Sequence, residues 1–310
     1  MRIVLYAGYQ STEWNPTFIH TTGLGGTEQC ILNLAKQLAC DNEVYVVGEV
    51  LEGEFDKVVY LPTNIALQTL GKKLIDCVIG VSYINYLLEL ESLNFSRSIL
   101  WVHNTDFYPW HKGKELPNGG RDLLNDPRLT GVVCLTEWHK RKFTEQFPEA
   151  RNKIHVIGNG VDVSKFKNST AKVSNSFVYT SHSERGLGKI LSEWLDVKSM
   201  YADAELHIST PEYGLEYYNE HYADLVNNLS DVFFHGTLSI ADLYNLMSKC
   251  EYWYYPTEYE ETFCITALEM LGHGVKPIAT ELAGLKETLS GFNLYSMNNI
   301  SHELDQDKIR

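Results

Sequence analysis

The chain has few positive charges for its size. It carries 26 Lys and Arg against 40 Asp and Glu, a formal net charge of -14 at pH 7. Proteins that bind nucleic acid broadly need a basic surface to neutralise phosphates, so this balance argues against a nucleic-acid partner. It also disfavours a surface that lies on anionic lipid, although a local basic patch could still make a peripheral membrane contact.

Long apolar runs and paired cysteine motifs are missing as well. No stretch approaches the ~18 apolar residues of a membrane span, and the opening MRIVLYAGYQSTEW contains no signal-peptide core. The six cysteines have no C-x-x-C spacing and mostly lie in apolar runs, as is typical of reduced, buried thiols. We therefore expect a cytoplasmic protein without a transmembrane segment.

Metal-ligand spacing is also lacking, because the histidines and acids do not fall into the clusters that hold metal ions. The triplet DQD at residues 305–307 resembles a D-x-D metal motif. It lies in a polar tail with no strand before it, so we interpret it as coincidence. No metal site is expected.

What the chain does have is an alternation of strand-like and helix-like segments. Its 310 residues allow two domains of ordinary size. Apolar runs that are continuous rather than alternating indicate strands covered on both faces, as in a parallel sheet. These runs are RIVLYAG, EVYVVG, VVYL, DCVIGVS, SILWVHN, GVVCLT and IHVIGNG in the first half, and SFVYTSH, AELHIST, DVFFHG, EYWYYPT and VKPIAT in the second.

A polar segment, NGVDVSKFKNSTAKVSN at residues 159–175, separates the two sets of strands and is the best linker candidate. Two sets of β-α units joined by a short linker predict an α/β protein of two Rossmann-like, doubly wound domains facing across a cleft. The expected domains are residues 1–165 and 166–290, followed by a tail at 291–310.

A glycine-rich turn precedes the first expected helix in GLGGTEQCILNLAKQLA. Thr27 is a candidate N-cap for this helix. Gly25 and Gly26 would let the backbone approach a phosphate at the helix start, although the pattern also fits a plain helix-entry turn. The apolar stripe of the helix comprises Ile31, Leu34, Ala35 and Leu38.

Two acids stand out in the segment YEETFCITALEMLGHGVKPIAT. Glu261 is expected at or just before a helix start and Glu269 two turns inside, which would separate their Cα atoms by about 12 Å. The first-turn amides of Thr262, Phe263 and Cys264 would then point N–H groups at an anion. One acid could hold sugar hydroxyls and the other ribose hydroxyls. Alternatively, Glu261 is a helix-start acid favoured by the macrodipole and Glu269 an exposed acid.

Three further basic side chains are candidates. His103 follows a predicted strand, where loops of open α/β sheets carry ligands, and could bond either a ligand hydroxyl or the local backbone. Arg185 and Lys189 would face the same way if a helix begins near Gly186. Such a cation pair suits a diphosphate, although both could simply be solvated.

A short basic run, His139 to Lys142, lies on another predicted helix. We interpret it as a solvated helix face. Contact with anionic lipid or with a charged acceptor is the alternative.

Taken together, these segments resemble the GT-B glycosyltransferases of the family-four type, the retaining, glycogen-synthase-like group. The acids and their flanking Pro-Thr and Pro-Ile-Ala-Thr make the last segment the most specific. ERGL also resembles a subset whose members transfer sugars onto existing glycans. The matching segments, in the family's order over most of residues 1–290, are GLGGTE, WVHNTD, VVCLTEWHK, VIGNGVD, ERGLGKIL, FFHGTLSIADLYNLMSKCEYWYYPT and YEETFCITALEMLGHGVKPIAT.

The resemblance implies a nucleotide-sugar donor, such as a UDP- or GDP-sugar, in the second domain and a glycan or lipid-linked acceptor in the first. Glu261 would bind hydroxyls of the donor sugar and Glu269 the ribose, while His103 would line the reacting sugar. The other implied donor contacts are Gly25 and Gly26 over the diphosphate, Arg185, Lys189, Thr262, Phe263 and Cys264 near the phosphates, and the backbone of Leu238 at the base.

The chain departs from the family pattern at Ser181, where an Arg often stands. Lys189 could compensate, or the diphosphate could be held less tightly. The chain also ends earlier than many relatives, whose final helix crosses back to the first domain. Residues 291–310 could supply only a short version of that helix.

The expected reaction is metal-independent transfer with retention to a hydroxyl of a glycan or other acceptor, without a cofactor. Breaking the anomeric C–O bond places negative charge on the diphosphate, which the helix start at Glu261 to Cys264 would stabilise together with Arg185 and Lys189. Two alternatives stay open. One is a sugar-nucleotide 2-epimerase of the same fold, and the other is an inactive sugar-nucleotide-binding module, prompted by Ser181 and the short tail.

Overall fold

The structure is a computed structural model of the chain and describes residues 1–9, 12–20, 24–166, 171–211 and 231–295. It divides into two compact units. The first comprises Met1–Phe18 and Leu24–Gly160, and the second consists chiefly of the chain from Val161 onward. The change from one unit to the other falls inside the polar segment at residues 159–175.

The first unit is built on an eight-stranded sheet whose main strands are all parallel. Their apolar runs are buried on both faces, as the continuous patterns predicted. The strands of the unit are β1 (Arg2–Gly8), β2 (Glu43–Gly48), β3 (Gly53–Phe55), β4 (Val58–Pro62), β5 (Leu74–Ile75), β6 (Cys77–Val81), β7 (Asn94–Phe95), β8 (Ser98–Trp101), β9 (Trp110–His111), β10 (Lys114–Glu115), β11 (Leu129–Cys134) and β12 (Ile154–Val156).

The strand order of this sheet is β12-β11-β8-β6-β1-β2-β4-β3. The chain runs outward from β1 through β2 to β4 and then crosses to β6 on the other side of β1. The order therefore reverses between β1 and β6, the point at which open α/β sheets bind ligands beyond the carboxyl ends of their strands. The edge strand β3 runs antiparallel to β4.

Helices cover this sheet, and one of them begins earlier than the sequence predicted. The structure starts the first helix at Gly26 with Gly25 as N-cap, so the expectation that Thr27 caps it is wrong. Gly25 has the extended backbone of a cap residue but no side chain to bond the free amides. The helices of the unit are α1 (Gly26–Leu38), α2 (Thr63–Leu70), α3 (Tyr86–Glu89) and α4 (Glu137–Gln146).

The second unit contains a five-stranded parallel sheet of order β15-β14-β13-β16-β17. Counted along the chain, this order is 3-2-1-4-5, so it reverses between β13 and β16. The five strands coincide with the five apolar runs predicted for the second half. They are β13 (Val173–Tyr179), β14 (Glu205–Ile208), β15 (Val232–Phe234), β16 (Cys250–Tyr255) and β17 (Lys276–Ala279).

Large aromatic side chains fill the core of this unit. Phe177 on β13 packs edge-on against Trp194, with ring centroids 5.7 Å apart, and stacks on Tyr252 at 5.1 Å. Burying a side chain such as Phe177 stabilises the fold by about 1.5–3 kcal/mol. The described helices here are α5 (Leu187–Met200), α6 (Ile240–Lys249), α7 (Ile265–Gly272) and α8 (Leu285–Thr288).

Part of the expected tail lies outside the described residues, including the DQD triplet at residues 305–307. Across the part of the chain that is described, every helix is too short or too polar to cross a membrane.

Candidate functional site

The strongest constellation of polar side chains lies at the switch point of the second sheet. Arg185 lies on the loop that follows β13, and Glu261 lies on the loop that follows β16. Because β13 and β16 are hydrogen-bonded neighbours at the reversal, their carboxyl-end loops meet. Two residues 76 positions apart in the chain are brought together in this way.

Glu261 is an acid held inside the protein, with only 6% of its surface exposed. The Arg185 guanidinium donates from Nη1 to its Oε1 at 2.9 Å, and the Tyr255 hydroxyl donates to the same oxygen at 2.6 Å. A buried carboxylate needs such partners because its loss of hydration is costly. Both of these hydrogen bonds end on Oε1.

The loop after β16 enters its helix later than the sequence predicted. Helix α7 begins at Ile265, so Thr262 and Phe263 precede it rather than form its first turn. Cys264 is the N-cap and has a left-handed backbone, with φ of 70° and ψ of 85°. Glu269 consequently lies one turn inside the helix rather than two, and the expected 12 Å helical spacing from Glu261 does not apply.

A left-handed backbone at a non-glycine residue is uncommon and is held in place by its surroundings. Here Gly284 and helix α8 hold the loop. Gly284 donates its N–H to the Glu261 carbonyl at 2.8 Å, and the Thr288 hydroxyl donates to the Phe263 carbonyl. A Cβ on Gly284 would lie 2.4 Å from the Thr262 carbonyl oxygen and 2.8 Å from that of Glu261, so the approach requires glycine.

Gly186 allows a similarly close backbone approach on the loop after β13. Its φ is 114°, which favours glycine, and a Cβ there would lie 2.5 Å from the Pro256 carbonyl oxygen. Gly186 is also the N-cap of α5. It therefore lets the loop after β13, which carries Arg185, pack directly on the loop after β16.

Glu269 is the second buried acid, with 7% of its surface exposed. The Tyr244 hydroxyl on α6 donates to its Oε1 at 2.7 Å. Burial raises the pKa of the Glu269 carboxyl, while the bond from Tyr244 and the charge of Lys165 lower it by less. Burial disfavours the charged form of this carboxyl, and buried groups with shifted pKa values are candidates for a ligand contact.

Helix α5 begins at Leu187 with Gly186 as N-cap, close to the predicted start. Arg185 ends a 3-10 turn, Ser183–Arg185, just before this helix, and Lys189 lies in its first turn. The Lys189 ammonium pairs with Glu193 at 2.5 Å, and the Tyr254 hydroxyl donates to the other oxygen of that carboxylate. Arg185 is thus the cation that the structure brings to Glu261.

Ser181 lies in the same constellation. Its hydroxyl is 3.5 Å from the hydroxyl of Tyr255, which in turn donates to Glu261. Leu238 lies in the loop between β15 and α6, immediately before the N-cap Ser239. Its backbone therefore lies at the carboxyl edge of the sheet.

In the first unit, the predicted residues also lie at carboxyl-end loops. Gly25 caps α1, and a Cβ on Gly26 would meet no atom within 4 Å. His103 follows β8, and its N–H donates to the Ser82 hydroxyl at 3.2 Å. Its ring packs on Trp101 with centroids 4.4 Å apart. Burial, with a smaller effect of His139, lowers the pKa of His103 to about 3, so the imidazole is neutral at physiological pH.

The basic run on α4 is only partly a surface feature. His139 is fully buried, and its Nδ1 accepts from the backbone N–H of Leu135 at 3.1 Å. Lys140 pairs with Glu137 at 3.6 Å, and Lys142 lies 5.9 Å from the ring centre of Trp138. The interpretation of the run as a solvated face therefore fails for His139, which belongs to the core.

Sequence reasoning missed three tyrosines of the site. Tyr255 is the last residue of β16, and the rule that ligands bind beyond strand ends could have found it. Tyr259 lies under the Arg185 guanidinium, 4.1 Å from its ring centre, which fixes the cation in place. Tyr244 carries no sequence signal, because its contact with Glu269 depends on how α6 packs on α7.

Within the described residues, His, Cys, Asp and Glu do not gather in groups of three that could hold a metal ion.

Neither a protein-family model nor a curated protein sequence matches the chain. Solved structures do. A glycosyltransferase from Rickettsia africae has a TM-score of 0.72 at 16% identity, over 98% of this chain and 87% of that one. HepE from Anabaena, in complex with UDP-glucose, has a TM-score of 0.71 at 15% identity, over 100% and 91%.

The catalytic domain of starch synthase IV from Arabidopsis thaliana, bound to ADP and acarbose, has a TM-score of 0.68 at 11% identity, over 99% of this chain and 92% of that one. At such low sequence identities, structural similarity is evidence for a shared fold alone. The chain has the GT-B fold, as the sequence resemblance predicted.

Proposed function

We propose that the protein is a glycosyltransferase that moves a sugar from a nucleotide-sugar donor to a hydroxyl of a glycan or other acceptor, with retention and without a metal ion. One observation carries the proposal. At the switch point of the second unit, a buried carboxylate, Glu261, is fixed by Arg185 and Tyr255 on a single oxygen. Two structures of the same fold were solved with UDP-glucose and with ADP.

The donor would lie along the loops after β13 and β16. Glu261 would accept hydroxyls of the transferred sugar on Oε2, and the backbone amides of Thr262 and Phe263 would face the phosphates. Glu269 would accept the ribose hydroxyls beside Tyr244. Carboxylates suit both tasks because charge-assisted hydrogen bonds to hydroxyls are about twice as strong as neutral ones.

Arg185 would stabilise the leaving group. Breaking the bond between the anomeric carbon and the diphosphate oxygen leaves that electron pair, and the negative charge, on the diphosphate. A cation fixed between Glu261 and the Tyr259 ring needs little rearrangement when this charge appears, which is the condition for electrostatic stabilisation. Lys189 pairs with Glu193, whereas Arg185 pairs with Glu261, the acid assigned to the donor sugar, so we assign the principal role to Arg185.

The contribution proposed for the first unit is binding of the acceptor and of the reacting sugar. His103 would line that sugar as a neutral imidazole, because its pKa of about 3 keeps it uncharged across the physiological range. It would then act as a hydrogen-bonding group rather than as a cationic acid. Gly25 and Gly26 would provide backbone close to the diphosphate.

The test combines donor use with stereochemistry. Purified protein is incubated with UDP-glucose, GDP-mannose or ADP-glucose, with and without a mixture of maltotriose, cellotriose and mannobiose, and with and without EDTA. We expect one donor to release its nucleoside diphosphate faster when an acceptor is present. EDTA should leave the rate unchanged, and NMR should show the anomeric configuration of the donor in the product.

The outcomes separate the alternatives. Sugar interconversion without an acceptor identifies an epimerase, and nucleotide binding without any turnover identifies a binding module. An inverted product would refute retention, and loss of activity in EDTA would refute metal independence. The matched pair Glu261→Gln and Glu258→Gln ties the activity to the site, because Glu258 is an exposed neighbour on the same loop.

A further inference from the structure

The loop that follows β8 presents aromatic side chains at the carboxyl edge of the first sheet. Tyr108 is 41% and Trp110 is 47% exposed. One residue separates them in the chain: Tyr108 forms an isolated β-bridge with Tyr83, and Trp110 begins β9. The Tyr108 ring packs on Tyr83, with centroids 4.8 Å apart and planes inclined by 33°. We call Tyr83, Tyr108 and Trp110 the aromatic platform.

The base of the platform is rigid. The Tyr83 hydroxyl donates to the Tyr9 carbonyl at 2.8 Å. The Tyr83 ring lies so close to Gly8, whose φ is 74°, that a Cβ there would overlap the ring. The Asn104 amide donates to the Tyr108 hydroxyl at 3.0 Å. Rings that are already fixed lose little freedom when a ligand packs on them.

His111, the residue after Trp110, anchors this segment to the unit. His111 Nδ1 lies 2.9 Å from Oε1 of Glu89, and the same carboxylate accepts a bond from the Tyr9 hydroxyl. The strands β9 and β10 then form a tight hairpin, with φ of 50° and 73° at Lys112 and Gly113. Positive φ at both turn residues is the feature of a rigid two-residue hairpin.

The platform adjoins the predicted sugar-binding residue of the first unit. Ser82 follows β6 at the switch point of the sheet and has a left-handed backbone with φ of 60°. Its hydroxyl accepts from the N–H of His103 at 3.2 Å, and its carbonyl accepts from the N–H of Tyr108 at 2.8 Å. The buried Ser82 therefore sets the backbone positions of both His103 and Tyr108.

We propose that the aromatic platform binds a pyranose ring of a carbohydrate acceptor. A pyranose has a face of C–H groups that packs on aromatic rings and a rim of hydroxyls that hydrogen-bond, so it suits a surface of fixed aromatic side chains with polar tips. The Tyr108 hydroxyl and the Asn104 amide lie at the edge of the platform and would bond the rim. This inference rests on the proposed transferase function, since it names the class of its acceptor.

A membrane surface is the competing ligand, because exposed Trp, Tyr and Lys also occur where proteins contact lipid. Two observations favour the carbohydrate. The hairpin tip consists of Lys112 and Gly113, while Trp110 lies at its base in β9. Tyr108 lies against Tyr83 rather than projecting from the protein.

The experiment probes the full-length protein on a glycan array in the presence of the nucleoside diphosphate that binds best, and then measures the retained glycan by calorimetry. We expect Tyr108→Ala and Trp110→Ala each to weaken glycan binding at least tenfold, and Tyr108→Phe to keep most of it. Trp138→Ala, a matched change on α4 of the same unit, should leave it within twofold. All four variants should bind the nucleoside diphosphate as the wild type does.

Failure of this proposal is distinguishable from failure of the transferase proposal. Absence of any retained glycan, or equal losses in Trp110→Ala and Trp138→Ala, would overturn the platform while donor use remains. Binding to vesicles of phosphatidylcholine and phosphatidylglycerol that Trp110→Ala abolishes would replace the carbohydrate by a membrane. Loss of nucleoside diphosphate binding in the platform variants would show that they disturb the fold.

Discussion

Arg185 and Glu261 form an ion pair of 2.9 Å across the switch point of the second sheet. The same Glu261 oxygen accepts from Tyr255. A carboxylate fixed through one oxygen keeps its other oxygen in a defined direction, which is useful where a sugar must be oriented.

Glu261→Gln should lower turnover at least a hundredfold and change the dissociation constant of the free nucleoside diphosphate by less than threefold. The reason is that Glu261 is assigned to the sugar and not to the nucleotide. Steady-state kinetics and calorimetry measure the two effects. Equal losses of turnover and of nucleotide affinity would remove the assigned role, and Glu258→Gln serves as the exposed control.

Tyr255→Phe should lower the free energy of unfolding by about 1–3 kcal/mol, because it removes a hydrogen bond to a charged acceptor. Turnover should fall about tenfold, since Glu261 then relies on Arg185 alone. Tyr45→Phe is the matched control, as its hydroxyl donates to the Glu43 carboxylate at 2.5 Å in the first unit. Denaturant unfolding and kinetics on both variants provide the test, and unchanged turnover in Tyr255→Phe would contradict it.

Gly284→Ala should disturb the loop that carries Glu261, because the new methyl group would lie 2.8 Å from the Glu261 carbonyl oxygen. Crowding of this kind costs about 1–3 kcal/mol. We expect that loss in unfolding free energy together with at least a tenfold loss of turnover. Gly160→Ala, where a Cβ would meet no atom within 4 Å, should change neither. A fully active Gly284→Ala would show that the loop position is not critical.

Glu269→Gln should raise the melting temperature at pH 7.5 but not at pH 4. Burial raises the pKa of Glu269 in the folded protein above its ordinary value of 4.5. The folded state then holds the proton more tightly, so stability falls as the pH rises from about 4.5 through the raised pKa. The glutamine removes this pH-dependent loss of stability and keeps an oxygen that can accept the hydrogen bond from Tyr244.

The same variant should bind the nucleoside diphosphate about tenfold or more weakly, since a charged acceptor of the ribose hydroxyls is lost. Scanning calorimetry at the two pH values and isothermal titration at pH 7.5 measure both effects. A melting-temperature difference that is identical at pH 4 and pH 7.5 would exclude the buried charge as its cause. Unchanged nucleotide affinity would exclude the ribose contact.

The sequence predicted the strands well because their signal is local. Twelve continuous apolar runs became the main strands of two parallel sheets, and the GT-B fold followed from motif order. The start of α7 was predicted too early because the left-handed backbone of Cys264 depends on Gly284 and Thr288, more than 15 residues away. No local pattern encodes that contact.

The site itself was predicted in part for the same reason. Glu261 and Arg185 were found from motifs, but their direct pairing depends on the sheet order. Lys189 was grouped with Arg185 because helical spacing alone cannot show that Glu193 takes its charge. Tyr244 depends on the packing of α6 against α7.

The strand order of the second sheet also bears on how the protein acquires its activity. Arg185 precedes two further strands, β14 and β15, before the chain returns to insert β16 between β13 and β17. Contacts between residues so far apart in sequence form late, because their loop-closure entropy has to be overcome first. Under the proposed function, nucleotide binding would therefore report completed folding of this unit. A nucleotide sugar that binds only the folded unit would also stabilise it by mass action.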